Sequence, residues 1–281
     1  MGGEESKPVP EPMFSEPWRK LNWMDRQGIL DYVKNYNPRT PEQVIRILLY
    51  GPVASGKSSF INSVNSLLRE RPYINSLANH NSSNSFTRVY KTYRIHKGTS
   101  GAYYPFVFND IMGLQNSGGV HPDDVKLALK GHVMENYEFN PESMLTEENQ
   151  FYKQYPSEDD KVTVLVCVVD AHNMSIILDE TLRMLRDIRK EASRLGIPQV
   201  AILTHIDEVC PEVKKDLKDV YKSILLKKKM EEFSAKVGIP MNCIFPVKNY
   251  HDEIDTNNDL DVLLLSALKN IIHFGEDYLN P

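Results

Sequence analysis

Cysteine is scarce, with three residues, Cys167, Cys210 and Cys243, in a chain of 281. An odd number in so long a chain, two of them inside apolar runs, argues for buried thiols in a reducing compartment over a disulfide framework. Neither these cysteines nor the eight His stand at metal-ligand spacing, which argues against a zinc site. A basic excess is also missing. Lys+Arg number 33 against 38 Asp+Glu, a formal net charge of −5, so no general positive field is available for phosphate backbones and specific nucleic-acid binding is not expected. The longest apolar run, 162–169, falls far short of the ~20 residues that span a bilayer, and the N-terminus lacks an apolar signal. A cytosolic location is therefore expected. What is present, 41% hydrophobic and 25% charged residues, is the make-up of an ordinary folded domain.

Four prolines fall within residues 1–17 among charges and little apolar content, so this segment reads as a disordered tail with order beginning near Trp18. Over 18–36 the apolar positions Leu21, Met24, Leu30 and Val33 recur at helical spacing and predict a lead-in helix, stopped at Asn37-Pro38. Five apolar runs follow, at 44–50, 106–109, 162–169, 200–204 and 243–247. Helical patterns at 57–69, 179–195, 214–237 and 259–273 lie between or after them. Continuous apolar strands separated by helices predict an α/β fold, a mostly parallel sheet with helices on both faces. A weaker strand at 89–95 is expected antiparallel at an edge. One polar stretch, about 115–161, is too long for a simple connection and reads as a mobile insertion containing a helix over 122–137. The domain is thus expected to cover 18–281.

The sharpest motif is Gly51-Pro52-Val53-Ala54-Ser55-Gly56-Lys57-Ser58, followed by Ser59, which fits G-x-x-x-x-G-K-S between an apolar run and a helical pattern. Backbone N–H groups of such a turn can approach phosphate oxygens, glycines permit the path, and the helix N-terminus adds positive potential. Lys57 would neutralise the β- and γ-phosphates, and Ser58 would offer its hydroxyl to Mg²⁺. The pattern alone leaves ATP and GTP, hydrolase and kinase, open.

Further elements narrow the choice. Asp110 and Gly113 form Asp-x-x-Gly at the end of an apolar run, where a carboxylate can serve Mg²⁺ and a glycine N–H can meet the γ-phosphate. Thr87 is the best-placed residue for a loop that senses the γ-phosphate and completes the Mg²⁺ ligands, ahead of Thr92 and Thr99. Thr204-His205-Ile206-Asp207 ends the fourth parallel strand and is similar to the Asn-Lys-x-Asp signature of GTPases, with Asp207 placed to accept from guanine. His205 lacks the aliphatic stem of Lys, and Thr204 stands where an Asn braces the phosphate loop. Lys248 and Asn249, after the last strand, are weaker base contacts. The position after Gly113 holds Leu114 where small GTPases carry a Gln that orients water, and Gln115 comes one residue late. Slow or partner-dependent turnover is expected.

With Pro17-Trp18-Arg19 and Leu21-Asn22-Trp23 ahead of the phosphate loop and Phe60, then Asp110-Ile-Met-Gly-Leu114 and Leu203-Thr-His-Ile-Asp-Glu208, the chain resembles the interferon-induced protein 44 family from Trp18 onward. The resemblance implies a cytoplasmic, GTP-binding-like protein of the antiviral and innate immune response. Larger members carry an additional N-terminal domain, whose activity is not carried over. On the matching positions, Gly51, Gly56, Lys57 and Ser58 would hold phosphates, Asp110 and Gly113 the switch, and Asp207 the base. GTP and GDP with Mg²⁺ are the expected ligands, and the loops around Thr87 and 113–161 the expected protein-binding surface. A homo-oligomer is also compatible. Gly2 and Ser6 fit an N-myristoylation pattern, so membrane contact is expected only if Gly2 is acylated. The rival readings are an interaction module whose nucleotide affinity has decayed and an ATP-dependent NTPase or kinase.

Overall fold

The computed structural model of the chain describes residues 12–73, 88–98 and 101–281. Among these, six strands form one sheet: β1 (Ile45–Tyr50), β2 (Lys91–Lys97), β3 (Ala102–Asp110), β4 (Val164–Asp170), β5 (Gln199–Thr204) and β6 (Ile244–Pro246). Their order is β2-β3-β1-β4-β5-β6, with every neighbouring pair parallel except β2 against β3. The α/β class and the antiparallel edge strand are as expected from the sequence.

The apolar runs are continuous because both sheet faces are covered. Side chains alternate across a strand. Ile45, Ile47 and Leu49 of β1, with Val164, Val166 and Val168 of β4, join α1 (Arg26–Asn35), α2 (Lys57–Arg69) and α8 (Asn258–Leu279) in one core. Leu48, Tyr50, Leu165, Cys167 and Val169 face the other way, onto α3 (Pro122–Leu129), α4 (Asp179–Arg194) and α7 (Ile224–Val237). Two short helices, α5 (Ile206–Val209) and α6 (Pro211–Lys215), follow β5. The result is three layers. α8 approaches the sheet so closely that a Cβ on Gly275 would lie 2.6 Å from Ile45 Cγ2.

Local caps move several boundaries. The lead-in helix covers only Arg26–Asn35, while Trp18 packs edge-on against Tyr221 and Arg19 reaches the carbonyls of Met241 and Ile244. Order does not begin at Trp18: Phe14 N–H donates to Lys222 O at 2.8 Å and Met13 bridges Ser223, so Pro12 onward is docked. The pattern at 214–237 breaks because Asp216 and Ser223 each cap a new helix, accepting from Lys218 N–H at 2.9 Å and Leu226 N–H at 3.1 Å. The helix expected over 122–137 stops at Leu129, close to Gly131, whose φ of 82° is left-handed.

The stretch 115–161 is packed onto the domain. Buried Asp124 accepts from Leu145 N–H at 2.7 Å and from the Tyr137 hydroxyl at 3.2 Å. Tyr90 and Tyr137 share a backbone bond of 2.8 Å, which ties this segment to the chain leading into β2. β1 sits where the chain departs to β3 on one side and β4 on the other, so its C-terminal end opens onto the crevice where open α/β sheets hold ligands.

Candidate nucleotide site

The turn from β1 into α2 can be built only with glycine at two places. Gly51 has φ 147°, and a Cβ there would lie 2.0 Å from Val168 O in the adjacent strand. Gly56, at φ 87°, is the residue before α2, and a Cβ on it would press on Asn249 and Thr204. Ala54 is also left-handed, at φ 59°. The loop Gly51–Ser58 therefore wraps tightly onto the N-terminus of α2, where the N–H groups of the first turn and the helix dipole favour an anion.

Lys57 is 7% exposed, and its Nζ donates to Gly51 O at 3.2 Å and Pro52 O at 2.8 Å. Two carbonyls take two of its three N–H donors. Burial brings the Lys57 ammonium down to about 8, against the pull of the nearby Asp110 carboxylate. Ser58 Oγ donates to Asp110 Oδ2 at 2.5 Å, across from the start of α2 to the end of β3. A hydroxyl and a carboxylate side by side are the oxygen donors that Mg²⁺ takes, with its other positions filled by phosphate and water. The residues present fit that ion. Burial pushes the neighbouring Cys167 thiol up to about 12, so it is an inert core side chain.

Gly113 lies against the loop: a Cβ there would be 2.6 Å from Val53 Cα. Leu114 is buried and bonded to the loop at both ends, its N–H to Gly51 O at 2.9 Å and its carbonyl to Val53 N–H at 3.2 Å. Gln115, the alternative water-orienting residue, is exposed. Thr87 lies outside the described residues, as does Thr99.

Thr204 and Asn249 do not project toward solvent but brace the loop. Thr204 Oγ1 donates to Ser55 O at 2.8 Å, so the hydroxyl does the bracing expected of an Asn. Asn249 Nδ2 donates to Gly56 O at 3.3 Å, and Ser63 Oγ donates to Asn249 Oδ1 at 3.4 Å. His205 sits at φ 54° with Nδ1 3.6 Å from Asp170 Oδ1. Asp207 is half-buried in the first turn of α5. Lys248 Nζ is held by Glu253 Oε1 at 2.7 Å. Asp170, Ser63 and Glu253 escaped the sequence reading. Only Asp170 had a signal, its place at the end of an apolar run.

No family model matches the chain. It is 33% identical to interferon-induced protein 44 of Homo sapiens over 256 residues, 90% of this chain and 57% of that protein. The human interferon-induced protein 44-like is 31% identical over 258 residues, again 90% of this chain and 57% of the relative. Over nine tenths of its length the chain is thus similar to members of the interferon-induced protein 44 family. It spans little more than half the length of these family members. Loosely similar solved structures include Toc33 from Arabidopsis thaliana in complex with GDP and Mg²⁺, at 15% identity and TM-score 0.44 over 89% of this chain and 96% of that one. A probable GTP-binding protein engB is 13% identical, with TM-score 0.42 over 83% of this chain and 98% of that one. Among the described residues, no helix is long and apolar enough to cross a membrane.

Proposed function

We propose that the protein is a cytosolic guanine-nucleotide-binding module of the interferon-induced antiviral response, whose phosphate loop holds the nucleotide with Mg²⁺. The observation that carries this reading is the conjunction of a glycine-shaped loop on a helix N-terminus, a buried ammonium and a Ser58–Asp110 oxygen pair at one sheet edge. Lys57 has one N–H left for a phosphate oxygen. Ser58 and Asp110 would hold the ion, and Gly113 would face the terminal phosphate. Asp207 supports guanine over adenine, since a carboxylate accepts from the N1 and exocyclic amine that guanine presents. Protein partners would read the bound state through the loops next to Gly113 and the segment 115–161.

Turnover is the weaker half of the reading. Leu114 is apolar and buried, and Gln115 is exposed, so hydrolysis would be slow without a partner. A second reading, an interaction module without nucleotide, draws on Lys248 being taken by Glu253 and on His205 in place of Lys. Titration of the full chain with fluorescent GTP, GDP and ATP in Mg²⁺ separates the readings. Guanine nucleotides are expected to bind more tightly than ATP and to lose affinity in Lys57→Ala. Absence of binding to all three would favour the interaction module, and tighter ATP binding would revive an ATPase or kinase.

A further inference from the structure

The Asp-x-x-Gly strap is sewn directly to the phosphate loop. Leu114 N–H donates to Gly51 O at 2.9 Å, Val53 N–H donates to Leu114 O at 3.2 Å, and Pro52 and Leu114 pair as a parallel bridge. Between them the Gly113 backbone packs on the Val53 backbone, with an imagined Cβ 2.7 Å from Val53 N. Lys57 shows which end of the loop this is. Its Nζ lies on the carbonyls of Gly51 and Pro52, and the lysine of such a loop reaches the β- and γ-phosphates. The strap therefore covers the loop at the end where a third phosphate would sit.

A phosphate group held between two backbone segments needs each donor about 2.7–2.9 Å from one of its oxygens, with its own width between the segments. Here the segments touch each other instead. The Val53 N–H is spent on Leu114, and there is no gap of phosphate width between Gly113 and Val53. The helix N-terminus, with the N–H groups that follow Ala54, is not used by the strap.

We infer that the stitched strap makes this site selective for a nucleoside diphosphate, and that a triphosphate enters only by parting the Leu114 bonds to Gly51 and Val53. The inference rests on the guanine-nucleotide reading above. It gives the strap a role as a latch: closed with two phosphates, opened by a third, with its buried Leu114 side chain drawn from the core as it opens. Leu114 is then a positioning residue acting through its backbone.

The test is isothermal titration of the full chain in Mg²⁺ with GDP and with a non-hydrolysable GTP analogue, alongside amide hydrogen exchange at Val53 and Leu114. Parting two hydrogen bonds should cost on the order of tenfold to thirtyfold in affinity, so GDP is expected to bind tighter by that factor. Both amides are expected to exchange slowly in the free and GDP-bound protein and faster with the analogue. Equal or tighter binding of the analogue, or unchanged protection of both amides in its complex, would overturn the latch while leaving guanine binding intact. Failure of both guanine nucleotides to bind would instead bring down the nucleotide reading, and the latch with it.

Discussion

The two ends of the candidate site are built differently. At the phosphate end, Gly51 to Ser58 is held from below by Thr204 and Asn249, from the side by Leu114, and internally by Lys57. Three of these restraints, from Thr204, Asn249 and Leu114, reach the loop from other segments of the chain. At the base end, His205 and Lys248 find their partners in Asp170 and Glu253, and Asp207 is half-exposed on a helix of four residues. Binding energy concentrates where groups are preorganised and desolvated. On the reading proposed above, the contrast implies that a nucleotide would be held mainly by its phosphates and its base read weakly.

The severest way to break this contrast is Gly51→Ala, whose methyl would collide with the Val168 carbonyl at 2.0 Å in a left-handed conformation. A loss of roughly 3–5 kcal/mol of folding stability is expected by chemical denaturation. If the variant folded with normal stability, the rigidity assigned to the phosphate end would be lost. Next comes Lys57→Ala. It should weaken nucleotide binding on the order of a hundredfold, as a charged donor to phosphate is removed, with no loss of thermal stability because a buried charge goes with it.

A pH titration sharpens the same point. Since burial lowers the Lys57 ammonium to about 8, its share of affinity is complete below that pH and disappears above it. Affinity should drop about tenfold for each pH unit well above 8 in the native protein and stay flat in Lys57→Ala. Folding stability of the free protein runs the opposite way. The unfolded lysine keeps its proton up to its ordinary 10.5, so between about 8 and that value the unfolded chain binds more protons and stability rises with pH.

Thr204→Val keeps the shape and removes the hydroxyl that holds Ser55 O, so a few-fold loss of affinity for guanine and adenine nucleotides alike is expected. The smallest effect belongs to Lys248→Ala. Its partner is a partly exposed Glu253, and such pairs contribute ~0–1 kcal/mol, so nucleotide affinity should change less than about twofold. A large, guanine-specific loss would place Lys248 on the base and erase the difference between the two ends.

Local chemistry made much of the architecture readable. The phosphate loop requires glycine at fixed places and a lysine beside a helix start, so its spacing alone marks the β1–α2 turn. The strands of a sheet buried on both faces must be apolar throughout, which is why β1, β4 and β5 stand out as runs and why α2 could be bounded at 57–69 in advance. Other features are contacts between residues far apart in the chain, and no spacing encodes them. Leu114 closing on Gly51, Asn249 reaching Gly56, Pro12–Phe14 docking beside Ser223 and Asp124 anchoring Leu145 all depend on which segments the folded sheet brings together. A buried backbone or carboxylate must take whichever partner packing supplies, and that choice is made only once the layers have closed.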